Sequence, residues 1–148
     1  MGRDAAAVES QIDQASRHLF QCVSLRSVID NAMAALDGAA QLASGENWDG
    51  YGARCVDLGA YSHARQFLAL LPTTTPVPDV AVDPDGEISI TWQVEPRLVF
   101  SVSVGRNGRL SYAGLFGASK TYGTEWLRAE LPEPVLDGIA RVFALERT

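Results

Sequence analysis

Lysine, cysteine and histidine are nearly absent from this 148-residue chain, and each scarcity excludes something. Lys120 is the only lysine; the other eleven basic residues are arginines, and 12 basic against 18 acidic residues leave a net charge of −6. Neither half of the chain is basic. Binding along a phosphate backbone needs clustered Lys and Arg, so nucleic acid is not the expected partner. Two cysteines, Cys22 and Cys55, are too few to staple a fold of this size. No apolar run reaches the ~20 residues of a membrane span. The start, "MGRDAAAVESQID", has no apolar signal core, and Ala6 breaks the acylation pattern that would follow Gly2. These absences point to a cytoplasmic, reducing compartment and no membrane attachment.

What is present is a globular balance, 47 % hydrophobic and 20 % charged, enough for one domain over 1–148 with a single core. The first half has helical spacing. Val8, Ile12, Ala15 and Leu19 recur at three- and four-residue steps, which predicts a helix from Asp4 to about Leu19. Ser24 caps a second helix to about Ala43, with Leu25, Val28, Ile29, Ala32, Met33, Leu36, Ala39 and Ala40 on its apolar face. Asp57 caps a third, "LGAYSHARQFLALL", with Leu58, Tyr61, Ala64, Leu68 and Leu71 aligned; Pro72 stops it.

After the "PTTTPVP" connector the period changes to two. Val80 and Val82 start a strand, "DPDG" turns the chain, and "EISITWQ", "LVFSVSV" and "RLSYAGL" follow, separated by "VEPR" and "GRNG". A Gly-rich segment then leads to a last helix from about Pro132 to Ala144, carrying Val135, Leu136, Ile139, Val142 and Phe143, with Gly138 weakening it slightly. The expected fold is α+β: N-terminal helices (about 4–71) packed on a four-stranded antiparallel meander, closed by a C-terminal helix (about 77–145 with the sheet). One sheet face is rich in Ser and Thr and stays wet; the helices cover the other.

Between the second and third helices stands "NWDGYGA", Asn47 to Ala53. With the later "DPDGEISITW" it resembles a group of small uncharacterised bacterial proteins, over about Asn47 to Val104. That resemblance implies a bacterial or mobile-element origin, and no reaction and no catalytic residues.

Three chemical readings compete with plain structure. "GLFGASKT", Gly114 to Thr121, imitates a phosphate-cradling loop, but Ser119 replaces a required glycine and the preceding strand is antiparallel, so no nucleotide cofactor is expected. His18, Cys22, Cys55 and His63 would make a Cys₂His₂ zinc set, yet the paired spacings are missing, so no metal is expected either. At the loop, Glu46, Asp49 and Asp57, with Tyr51 and His63 near, offer acid/base groups for a small enzyme. The structural reading is that Gly50 and Gly52 take positive φ, that Asn47 and Asp49 bond their own backbone, and that Trp48 and Tyr51 are buried anchors.

The remaining option is a binding surface. Trp48, Asp49 and Tyr51 are one candidate patch. Tyr122 and Trp126, in the Gly-rich segment, are a second, and the acidic turn of Asp83, Asp85 and Glu87, with Asp79 beside it, is a third. The expected function is a small acidic protein–protein interaction module: an inhibitor, antitoxin or immunity protein that occludes its target. An acid/base enzyme at the loop is the alternative, and a homodimer through the free strand edge or polar sheet face is a further option.

Overall fold

Apolar residues at alternate positions build a five-stranded antiparallel sheet, and the computed structural model, which describes residues 29–146, lays helices on one of its faces. In chain order there is helix α1 over 29–42, then α2 (Leu58–Ala69), β1 (Asp79–Val82), β2 (Ile88–Glu95), β3 (Leu98–Val104), β4 (Arg109–Phe116), β5 (Ser119–Trp126) and α3 (Glu133–Glu146). The strands lie side by side in sequence order, every pair antiparallel. This is the α+β fold read from the sequence, with one strand more. The helix expected from Asp4 to Leu19 and the Ser24 cap lie outside the described residues.

The register fixes which side chains share a face. Ile88, Ile90 and Trp92 on β2 stand beside Val104, Val102 and Phe100 on β3; Leu98 and Val104 stand beside Phe116 and Leu110 on β4. All of these are buried, together with Ala32 and Leu36 of α1, Ala60, Ala64, Phe67 and Leu68 of α2, and Val135, Ile139 and Val142 of α3. The apolar face of α2 is largely the expected one, with Ala64, Leu68 and Leu71 buried and Tyr61 partly so; Ala60 and Phe67 join it, while Leu58 is 79 % exposed. Leu58 is the first residue of the helix, one position after the Asp57 cap that accepts from the Ala60 N–H, and it points to the side of the first turn away from buried Ala60. Trp92 packs against Phe67, ring centroids 6.4 Å apart, and its indole N–H donates to the Pro76 carbonyl, which ties the proline connector to the sheet.

The Gly-rich segment is the main correction. Its glycines do not bend the chain out of the sheet. Gly114 lies within β4, facing the core, where a Cβ would sit 2.7 Å from the Phe116 ring and 3.0 Å from Phe100. Gly117, at φ +68, and Ala118 form a two-residue hairpin turn between paired Phe116 and Ser119. The stretch that imitates a phosphate loop is therefore a β-hairpin, with its lysine on a strand and no helix N-terminus following. Beyond it, "SKTYGTEW" pairs with β4 along its whole length without a register break. Neither α2 nor α3 packs on β5, so this last strand extends past both of them.

Candidate functional site

The Asn47–Ala53 loop is closed by its own backbone, the Asp49 carboxylate and the Asn47 side-chain amide. Asn47 N–H donates to Ala53 O at 2.7 Å, and Gly50 N–H to Asn47 O at 3.1 Å. Asp49 Oδ1 accepts from both Tyr51 N–H (2.8 Å) and Ala53 N–H (3.1 Å), and Asn47 Oδ1 accepts from Gly52 N–H. Gly50 and Gly52 take φ of +79 and +84, a conformation L side chains rarely adopt, and Asn47 joins them at +58. Trp48 is half-buried against the core and donates its indole N–H to Arg54 O at 2.8 Å. The segment then runs on by main-chain bonds, Val56 N–H to Ala43 O, Arg54 N–H to Pro84 O and Asp57 N–H to Gly86 O. It thus fastens the end of α1 to the β1–β2 turn.

Asp49 bonds backbone, so its carboxylate is a structural clasp. Trp48 is an anchor as expected, but Tyr51 is not: it is 93 % exposed, because the positive-φ glycines on both sides carry it to the loop's outer tip.

Beside the loop lies a polar cleft of about 460 Å³, lined by Glu46, Arg54, Cys55, Asp57, Asp85 and Arg106 among others. Its thiol, its carboxylates and Arg106 already have partners within the chain. Cys55 Sγ meets Glu46 Oε1 at 3.3 Å, and this carboxylate raises the thiol pKa above its usual value, which disfavours a thiolate nucleophile. Asp57 receives Arg106 at 2.7 and 2.8 Å while also capping α2, and the guanidinium and the Ala60 N–H hold its carboxyl below the usual range. Asp85 Oδ1 accepts from Glu87 N–H. His63 Nδ1 meets Gly59 O at 2.8 Å, and its ring packs on Gly108. His18 and Cys22 lie outside the described residues, and among those described no three His, Cys, Asp or Glu side chains converge as metal ligands.

The Asp57 pairing yields a pH prediction. A carboxyl whose folded-state pKa is depressed contributes stability above its unfolded value and loses it as pH falls through the folded one. Arg106→Gln is therefore expected to lower the melting temperature modestly at neutral pH. The gap from the parent chain should close as pH drops through and below the ordinary aspartate range. Thermal melts across that window check it; a gap constant with pH would contradict the assignment.

The acidic turn is likewise internally engaged. Glu87 binds Arg109 at 3.1 Å and accepts from Ser103 Oγ at 2.9 Å, and Asp83 accepts from Ser89 Oγ at 3.2 Å, with burial raising its pKa. Asp85 stays exposed at the tip.

The open sheet face is different. Opposite the helices, the register aligns Gln93, Val99, Leu115 and Lys120 in one row, Thr91, Ser101, Ala113 and Tyr122 in the next, and Ser89, Ser103, Ser111 and Thr124 in a third; Arg109 and Trp126 follow. Among the described residues no helix covers this side. Tyr122 is 84 % and Trp126 51 % exposed, and a shallow hollow of about 350 Å³, mostly apolar, runs along Val99, Ala113, Leu115 and Lys120 to Tyr122. The structure thus separates the sequence candidates into three places: Trp48, Asp49 and Tyr51 on the loop, Asp83, Asp85 and Glu87 at the β1–β2 turn, and Tyr122 with Trp126 on one strand of an open face. Val99 and Leu115 escaped the sequence reading as site residues. They sit at the outward positions of strands whose inward positions are also apolar, so only the register reveals them. No family model, curated protein or solved structure matches the chain. No helix among the described residues is long and apolar enough to cross a membrane.

Proposed function

We propose that this chain is a protein-binding module of the inhibitor, antitoxin or immunity kind, which occludes its target with the open face of its sheet. The single observation that carries the reading is the placement of Tyr122 and Trp126. Two large aromatics stand exposed on one face of a hydrogen-bonded strand, Tyr122 at the edge of an apolar hollow and Trp126 farther along, with Ser, Thr and Gln around them. Interfaces concentrate binding energy in such aromatic anchors inside a polar rim. A sheet holds them in place before binding, so little ordering cost follows. The net charge of −6 suits a basic target, whose approach it would steer.

The alternative, an acid/base enzyme at the loop, has less support. Asp49 is bonded twice to backbone, and the Tyr51 side chain stands out in solvent. We take a bacterial host, the origin that the resemblance of the loop and first hairpin implies, as the place to seek the target.

The test is functional occlusion. Once a partner has been captured from a bacterial host with the full chain, titrating the chain into that isolated partner should reduce the partner's activity in proportion to the fraction bound. A partner that stays fully active at saturation would contradict occlusion.

A further inference from the structure

We propose that β5 pairs antiparallel with β5 of a second copy of this chain, about a twofold axis at Gly123, so that two five-stranded sheets join into one. The argument begins with which main-chain groups of β5 are free. Phe116 and Ser119 flank a two-residue turn and are therefore a hydrogen-bonded pair, so the same parity, Thr121, Gly123 and Glu125, bonds to β4. Leu127 N–H donates to Gly108 O at 2.8 Å, which extends that parity past the strand end. Lys120, Tyr122, Thr124 and Trp126 consequently direct their N–H and C=O groups away from β4, to the outer edge. Their side chains are those of the open face.

A twofold axis perpendicular to the sheet keeps both open faces on one side, so each residue must oppose one of its own parity. Centred on Gly123, Lys120 meets Trp126 of the second copy and Tyr122 meets Thr124. Every outward N–H and C=O of the strand is then answered. Centring on Tyr122 instead leaves the Trp126 groups unpaired within the strand. The dyad position suits glycine for a second reason. It falls at a non-hydrogen-bonded pair, where strands approach most closely, about 4.5 Å between Cα atoms. The Tyr112 ring already covers Gly123 on the helix side, and a side chain there would collide with it. Lys120, the only lysine, is brought beside an indole, a favourable placement for an ammonium.

The two sheet edges are not equivalent. β1 is four residues long and is preceded by Pro76 and Pro78, devices that block strand addition. β5 is eight residues long, contains no proline and no bulge, and neither α2 nor α3 packs on it. Among the described residues, strand addition between copies therefore has one open edge.

Sedimentation velocity on the full chain over a concentration series, with amide hydrogen exchange on the same samples, tests this. The expected result is a monomer–dimer equilibrium in which the Tyr122 and Thr124 amides slow by about tenfold or more as dimer forms. Those of Thr121, Gly123 and Glu125, bonded to β4 throughout, should change little. Thr124→Pro removes an outward donor without touching the β4 ladder and should shift the chain to monomer; if it does not fold, Lys120→Glu serves, with weaker association expected. Three results would overturn the proposal: a monomer at every concentration, a dimer without protection at Tyr122 and Thr124, or protection that arises only when a different protein is added.

Discussion

Gly138→Ala is expected to destabilise the chain by about 1–3 kcal/mol, although alanine is the better helix former by about 1 kcal/mol. The reason is local. Gly138 is buried in the middle of α3, and an added Cβ would overlap the ring of Phe100, which is itself fully buried under the helix. Phe100 has nowhere to retreat, because Gly114, which faces it from β4, is a glycine already closed off by the Phe116 ring, and Tyr112 stands on its flank at a centroid distance of 5.9 Å. Val135, Ile139 and Val142 place α3 on β2, β3 and β4, so a shift of the helix disturbs the whole upper core. Denaturant unfolding of the two chains checks this. A stabilised Gly138→Ala variant would mean that helix propensity outweighs the packing and that α3 sits farther from the sheet.

The second prediction separates the parts of the loop. Trp48→Ala should cost about 2–3 kcal/mol, the loss of a half-buried ring together with its bond to Arg54 O. Asp49→Ala, which leaves the Tyr51 and Ala53 N–H groups without their acceptor, should cost about 1–2 kcal/mol. Asp49→Asn keeps an acceptor oxygen in place, and Tyr51→Ala removes a ring that touches almost nothing; both should stay within about 0.5 kcal/mol of the parent. Chemical denaturation of the four variants measures the ordering. If Tyr51→Ala fell as far as Trp48→Ala, the exposed position of Tyr51 would be wrong, and the clasp would need both aromatics.

The strongly patterned elements were legible before any coordinates. Strands β2 and β3 announce themselves because one face is buried and the other wet, so Ile88, Ile90 and Trp92 alternate with Ser89, Thr91 and Gln93. The Asp57 cap and the clasp chemistry of Asp49 are local, within a few residues of their partners, and local bonds can be read from spacing. β5 is hidden in the sequence for the opposite reason. An overhanging strand buries neither face, so it shows no apolar period, and its Gly123 reads as a loop residue when it is in fact room for the Tyr112 ring on the neighbouring strand. Its Thr, Tyr and Trp content was the available signal, together with the Gly-Ala pair between Phe116 and Ser119. Tyr51 departs from expectation because an aromatic between two glycines suggests an anchor, whereas the backbone turns it outward. Tyr122 and Trp126 were named as candidates without a setting. Only the register puts them on the same side as Val99 and Leu115.

The central claim is that the working surface is the open sheet face and that the loop is a clasp. The most direct test is a paired binding measurement, in which partner affinity is determined for the parent chain, for Tyr122→Ala/Trp126→Ala and for Tyr51→Ala, all with matched melting curves. The account predicts that the double variant loses at least about 2 kcal/mol of binding, some thirtyfold in affinity, while Tyr51→Ala binds as the parent does. Full binding by the double variant, with loss in Tyr51→Ala, would contradict it and return the function to the loop.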